Sequence, residues 1–358
     1  MALDRITLST FRNHADTRLD ETRQLNLLVG ENGAGKTNVL EALSLFAPGR
    51  GLRRAVLGDM AGKSGAGGFG IGARLLTRDG GEPVQLGTGL RGSRRIVQVN
   101  GAETSAVALG EWLAVGWLTP AMDRLFADSA GTRRRYVDRL AVALDPAHAR
   151  HAARYEAALR ERNRLLSDER EPDPAWIDSI EAQMAAAGAM LAQGRAALVE
   201  ALVAELAALP TQPFARPALA LETTGAREEG ELRAQLAGNR RRDRAAQRTL
   251  AGPHRDDLVV TMEGKAMPAA ECSTGEQKAM LIAITLAHAA LAARGRPSLL
   301  LLDEVAAHLD PLRREALFDR LRSSGTQVWL TGTERAPFEG IAGEAAVWQV
   351  AEGRAERI

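Results

Sequence analysis

Residues 30–37 read Gly30-Glu31-Asn32-Gly33-Ala34-Gly35-Lys36-Thr37, and few segments restrict a fold so tightly. The pattern G-x-x-x-x-G-K-[ST] has physical content only between a strand and a helix. Both neighbours are present. Gln24 to Val29 is a short apolar run, and Asn38 to Phe46 carries Val39, Leu40, Leu43 and Phe46 at helical spacing before Pro48-Gly49. Glycines let backbone N–H groups curl around phosphate oxygens, and the helix N-terminus adds partial positive charge. Lys36 is expected at the β- and γ-phosphates of ATP and the Thr37 hydroxyl at its Mg²⁺. Gly30, Glu31, Asn32, Gly33, Ala34, Gly35 and Asn38 complete the expected cradle. Only four of the 46 basic residues are lysines, and one stands here, where a compact ammonium suits a phosphate cradle.

Two later segments fit the same machine. Ser298 to Leu302 reads as a central parallel strand, and the C-terminal end of such a strand is where an open α/β sheet places ligands. Asp303 there is expected to hold Mg²⁺ and Glu304 to polarise the attacking water as general base; carboxylates also follow strands as plain solvated residues. Cys272-Ser273-Thr274-Gly275-Glu276-Gln277-Lys278 opens an apolar helix that runs through Met280, Leu281, Ile284, Leu286 and Leu291 to Gly295-Arg296-Pro297. By itself this is N-cap chemistry. Leading directly into the acidic strand, it gives the motif order of an ATP-binding-cassette ATPase. In that class two copies close over nucleotide, so Ser273, Gly275, Gln277 and Asp310 are expected to complete the site of a partner copy. Ala307-His308-Leu309-Asp310 resembles the segment that crosses the dimer interface.

The chain has 358 residues, 45% of them hydrophobic, and one cysteine, which excludes a disulfide framework or a Cys-based metal site. No run of about 18 apolar residues stands out as a membrane span, so the expectation is a soluble, cytoplasmic protein without a membrane partner. Residues 69–101 alternate, with a hairpin signal at Asn100-Gly101, and read as antiparallel strands. From Leu109 to about Arg244 the pattern turns helical, and the glycine-dense stretch 58–70 reads as a mobile loop. The expected fold is α/β: a P-loop ATPase head of cassette type from residues 1–108 and 250–358, with an inserted, mainly helical arm over 109–249.

Phe11-Arg12-Asn13-His14, Gly33 to Leu43, Gly49-Arg50-Gly51-Leu52-Arg53, Thr132-Arg133-Arg134-Arg135-Tyr136-Val137-Asp138 and Gly252-Pro253-His254-Arg255-Asp256-Asp257-Leu258 together resemble the RecF family of bacterial DNA repair ATPases. The resemblance runs from residue 6 to about 335. It departs at Glu276, where family members more often have Gln, and at Thr119-Pro120-Ala121-Met122-Asp123, so the water-positioning residue of that lobe is unassigned. Leu330-Thr331-Gly332-Thr333-Glu334 lacks the switch histidine of transporter ATPases, which points to slow turnover, with Thr331 or Thr333 as γ-phosphate sensor. The resemblance implies an ATP-dependent homodimer on double-stranded DNA near single-strand gaps, DNA-stimulated hydrolysis, RecR (with RecO) as partners, and support of RecA loading, recombinational repair, replication and the SOS response.

Net charge is only +1, so any DNA contact must be local. Arg240, Arg241, Arg242 and Arg244 are the expected phosphate contacts. Arg133 to Arg135 are weaker candidates, and Arg150 to Arg164 reads as a solvated face laced with ion pairs. Two other readings stay open: a clamp governed by nucleotide occupancy with incidental hydrolysis, and the motor of a transporter or another SMC-like ATPase.

Overall fold

Leu3, Ile6, Leu8 and Phe11, each fully buried, lie along β1 (Leu3–Phe11), which pairs with β2 (His14–Asp20) across a tight turn. The chain then enters the wholly buried β3 (Leu25–Val29), the phosphate-loop segment and α1 (Lys36–Ser44). β4 (Phe69–Leu75), β5 (Val84–Arg91), β6 (Arg94–Val99) and β7 (Ala102–Glu103) extend an antiparallel sheet of order β2-β1-β4-β5-β6-β7. α2 (Ala106–Trp112), capped by Ser105, leads into β8 (Ala114–Leu118). The structure is a computed structural model that describes residues 2–62, 67–77, 80–210, 212–306 and 309–358. It divides into two compact units, the first holding residues up to 123, 208–215 and 278–358, the second 124–207 and 216–277.

The second unit is built from α3 (Ala130–Leu144), α4 (Ala147–Ser167), α5 (Pro174–Ala208), β9 (Pro217–Glu222), α6 (Glu229–Gly238), α7 (Arg240–Ala245), β10 (Asp257–Met262) and β11 (Met267–Pro268), the three strands forming a small sheet of order β11-β10-β9. α8 (Thr274–Gly295) starts in this unit and continues into the first. There β12 (Ser298–Leu302), α9 (Pro311–Ser323), β13 (Gln327–Gly332), β14 (Ala346–Ala351) and β15 (Arg354–Arg357) follow. The resulting sheet has order β15-β14-β3-β13-β12-β8, parallel except for the β15 edge. Leu299 to Leu302 are at most 2% exposed, each contributing about 1.5–3 kcal/mol by burial. Trp329 and Trp348 stack with ring centroids 5.4 Å apart and fill one face of the sheet.

Several expectations need correction. The boundaries at 108/109 and 249/250 do not follow the compact units, because β8 pairs in register with β12 and belongs to the parallel sheet. The stretch from Leu109 onward is therefore not helical throughout; Ala114–Leu118 and Pro217–Glu222 are strands. Within 58–70, residues 57–60 form a 3₁₀ turn and Phe69 opens β4, while 63–66 lie outside the described residues. Helices Pro174–Ala208 and Thr274–Gly295 are long and apolar enough to cross a membrane, yet 50% and 67% of their most apolar windows are buried inside the fold.

A buried ionic network holds the second unit. Arg162, fully buried, donates to Glu181 (3.0 Å), Asp243 (2.7 Å), Thr249 Oγ1 (2.7 Å) and the Leu236 carbonyl (2.8 Å). Arg195 clamps Asp138 with two hydrogen bonds and donates to the Pro253 carbonyl at 2.6 Å. Gly252 has φ 130°, and a Cβ there would meet the Tyr155 hydroxyl at 2.7 Å. That hydroxyl donates to His254 Nδ1 (2.8 Å), while Nε2 donates to the Thr249 carbonyl (3.0 Å). The Gly252-to-Asp257 segment is thus a structural lock, with Asp257 paired to Arg133 by two hydrogen bonds.

Candidate nucleotide site

The phosphate loop turns out of β3, whose neighbours are β13 and β14. Gly33 (φ 82°) and Gly35 (φ 121°) adopt conformations that L side chains avoid. Gly30 is excluded from substitution by contact instead, since a Cβ would lie 2.1 Å from the Val350 carbonyl oxygen. Lys36 is 4% exposed and its ammonium donates to the Gly30 (2.6 Å) and Glu31 (2.9 Å) carbonyls. Burial pulls its pKa below the ordinary lysine value, against the opposing charges of Glu304 and Asp303. Asn32 is exposed at the loop tip, and Ala34 N–H donates to the Glu31 carbonyl.

Thr37 Oγ1 donates to Asp303 Oδ1 at 2.9 Å, so the loop and the end of β12 meet as the sequence predicts. Thr331, 1% exposed at the end of β13, donates to the same oxygen at 2.8 Å and accepts from Glu304 N–H at 2.9 Å. One hydroxyl therefore ties the Asp303 carboxylate to the Glu304 backbone. Glu304 has φ 53°, a left-handed conformation that disfavours non-glycine residues by about 1–2 kcal/mol. The Thr331 bond helps to hold it. Residues 307 and 308 of the expected interface segment lie outside the described residues, and Asp310 caps α9 by accepting from Arg313 N–H at 3.0 Å.

The signature helix is described within its own unit. Ser273 and Glu276 form a reciprocal capping box: the Ser273 N–H and hydroxyl both donate to Glu276 Oε2 at 2.9 Å, and Glu276 N–H reaches back to Ser273 Oγ at 3.4 Å. Glu276 also pairs with Lys265, and Lys265 with the Ser273 bonds lowers its pKa to about 2. Gln277 donates to the Cys272 carbonyl at 2.9 Å, so its amide is engaged inside the unit. A Cβ on Gly275 would meet nothing within 4 Å, so crowding within the chain does not require glycine there.

Apart from Asn38, which is expected in the cradle, sequence reasoning gave no role to the polar collar around α1. Glu41 is fully buried on α1 and is gripped by Arg12 (2.8 Å twice) and Arg53 (2.9 Å). Asn38 links Arg53 to Asn13, whose amide donates to the Ala34 carbonyl at 3.0 Å. A glutamate at helical spacing from Asn38 and Ser44, with arginines in the Phe11-Arg12-Asn13-His14 and Gly49-to-Arg53 segments, was the available signal.

The expected DNA arginines separate into two pairs. Arg240 is held by Glu181 and Asp178, and Arg244 donates to the Asp168 and Glu169 carbonyls. Both are committed internally, Arg240 to carboxylates of α5 and Arg244 to the backbone that follows α4. Arg241 and Arg242 are exposed, and their side chains have no hydrogen-bond or ion-pair partner among the described residues. Along α4, Arg160 and Arg164 make surface pairs as expected, but Arg162 is the core of the network above.

A phosphate loop at the end of β3, two carboxylates at the end of the adjacent-but-one β12, and a separate capped signature helix define a P-loop ATPase of the cassette type. The profile described as "AAA ATPase domain" matches residues 1–52, and that described as "AAA domain, putative AbiEii toxin, Type IV TA system" matches 138–331. The "DNA replication and repair protein RecF" of Mesorhizobium japonicum is 48% identical over 98% of this chain and 96% of its own length. That of Brucella suis is 44% identical over 99% and 96%. The chain belongs to the RecF family, and it is an ATP-binding DNA replication and repair ATPase. Its fold matches a solved "recombination mediator protein RecF-ATPrS in RecFOR pathway" with TM-score 0.87 at 21% identity, covering 99% and 98% of the two chains. The Smc head domain from Pyrococcus furiosus follows at TM-score 0.57 and 14% identity, covering 100% and 96%.

Proposed function

We propose that the chain is an ATP-driven clamp on double-stranded DNA at single-strand gaps, supporting RecA loading, recombinational repair and the SOS response in the cytoplasm. The observation that carries this reading is the convergence of Lys36, Thr37, Asp303 and Glu304, within a family of DNA repair ATPases. Lys36 binds the β- and γ-phosphates, with Gly30 to Asn38 as the cradle, and Glu304 orients the attacking water as general base. Thr37 and Asp303, hard oxygen donors already 2.9 Å apart, suit Mg²⁺, which neutralises phosphate charge when bound. Two heads form a homodimer in which Ser273 and Gly275, with Asp310, reach the partner's nucleotide; the open space at Gly275 leaves room for that approach. Gln277, engaged with the Cys272 carbonyl, acts by shaping the start of α8. Membership of the RecF family supports RecR, with RecO, as partners.

A second reading, in which nucleotide occupancy governs DNA retention and hydrolysis is incidental, is favoured by one feature. The place of a switch histidine holds Thr331, already committed to Asp303 and Glu304. Retention on gapped duplex separates the two: under the clamp cycle Glu304→Gln holds DNA far longer than wild type, and under occupancy alone the two release alike, with Lys36→Arg weak in both.

The DNA reading narrows to Arg241 and Arg242. Changing both to Ala is expected to reduce the salt dependence of duplex binding in ATP by up to about two log units per log salt, near 0.9 for each lost phosphate contact. Arg240→Ala with Arg244→Ala is expected to lower stability and leave that slope alone. Fluorescence anisotropy across a salt series measures both, and an unchanged slope in the first variant removes these residues from the interface. With Phe, Trp and Tyr at only 4% of the chain, a base-stacking platform for single strands is not expected.

A further inference from the structure

His14 is fully buried between the phosphate loop and the β14–β15 turn. Its Nε2 lies 3.1 Å from the Gly35 carbonyl oxygen and its Nδ1 lies 2.9 Å from Thr17 Oγ1. Thr17 in turn donates to the Gly353 carbonyl at 3.0 Å, and Gly353 N–H donates to the Ala34 carbonyl at 3.0 Å. The contacts are close as well as polar. A Cβ on Gly35 would meet His14 Nε2 at 2.8 Å, and one on Gly353 would meet the Asn13 carbonyl oxygen at 2.0 Å. Three turns, at 12–14, 33–35 and 352–353, therefore interlock around the phosphate loop.

The proton count is informative. A carbonyl cannot donate, so the Gly35 bond requires a hydrogen on Nε2. Thr17 has one hydroxyl hydrogen and gives it to Gly353, so the other bond requires a hydrogen on Nδ1. A neutral imidazole with its hydrogen on Nε2 can take the Thr17 hydroxyl at Nδ1 only by withdrawing it from Gly353; the imidazolium alone makes all three contacts at once. We propose that His14 is a positioning residue of the ATPase, clamping the phosphate loop through Gly35 and completing the chain from Gly35 through Thr17 to Gly353 only as the imidazolium, so that Mg-ATP binding draws one proton onto the ring.

The coupling runs through one peptide unit. Gly35 also accepts from Asn38 and Val39 N–H at the start of α1. In a trans peptide the carbonyl and the following N–H point in opposite directions. A cationic donor at the Gly35 carbonyl therefore polarises the Lys36 N–H, one of the free donors an anion meets at a helix N-terminus. Burial lowers the His14 pKa, with the bond to the Gly35 carbonyl and the backbone of Gly353 opposing. The charged groups on the surrounding elements are otherwise directed: Arg12 to Glu41, Lys36 to the Gly30 and Glu31 carbonyls, and Asp16, Glu352 and Arg354 to solvent. Phosphate charge in the loop favours the imidazolium, so affinity rises as pH falls, by at most about tenfold per pH unit.

The inference rests on the reading that residues 30–37 hold the triphosphate, and the test separates the two. Calorimetric titration of the full chain with Mg-ATPγS between pH 8 and 6.5 is run on wild type, His14→Gln, Thr17→Val and Lys36→Ala. Gln keeps one donor for Gly35 and cannot ionise; Val removes the acceptor that the second N–H needs. With each protein referred to its own affinity at pH 8, wild-type affinity is expected to increase several-fold more toward pH 6.5 than that of either variant. Comparison between variants cancels the nucleotide's own ionisation. Parallel pH profiles in all three overturn the proton linkage and with it the proposal. Undiminished binding by Lys36→Ala instead defeats the phosphate-loop reading itself.

Discussion

Replacing Glu304 by Gln is expected to slow ATP hydrolysis by about 10²–10⁴-fold, the range general-base catalysis contributes, while nucleotide affinity changes little. The amide keeps the shape of the side chain and the Thr331 bond, which is made by the Glu304 backbone N–H. It removes the carboxylate proposed to accept a proton from water. Lys36→Ala should behave oppositely, losing binding, because it removes the buried ammonium proposed to meet the β- and γ-phosphates. Single-turnover hydrolysis and equilibrium binding on the two variants distinguish these outcomes. Wild-type turnover by the Gln variant would take the role of base away from Glu304.

The second large effect is on stability. Arg162→Ala leaves Glu181 and Asp243, each 1% exposed, without their central cation. Breaking a buried ion pair from one side costs about 3–5 kcal/mol, a large part of a domain's net stability. Glu181 retains Arg240, and Asp243 retains the Leu250 N–H, which places the loss toward the lower end. Urea unfolding followed by circular dichroism measures it. A variant whose midpoint stays within experimental error of wild type shows that the network is not what holds these helices together.

The elements of the candidate nucleotide site were legible because each is local in sequence. Eight consecutive residues make the phosphate loop, and the Ser298–Leu302 strand ends at the expected carboxylates. Ser273 and Glu276 are spaced for a capping box, and that is what they form. What failed was information carried across long sequence separations. Ala114 to Leu118 is a short apolar run that helix and strand fit equally well; its pairing with β12, more than 180 residues later, decides the matter and moves the boundary with it. Arg162 sits among alternating charges that look solvated, yet its acceptors come from α5, α6, α7 and Thr249. Arg240 and Arg244 resemble a free basic run for the same reason. His14 was visible only as part of a family motif, because its partners at 17, 35 and 353 meet through three separate turns.

The central claim is that ATP joins two copies of this head into one hydrolytic unit. Sedimentation velocity of Glu304→Gln at micromolar concentration, with and without saturating Mg-ATP, tests it most directly, with Ser273→Arg in the same background as control. The prediction is a dimer with ATP, a monomer without, and a monomer throughout for the control; a Glu304→Gln protein that remains monomeric at saturating ATP contradicts it.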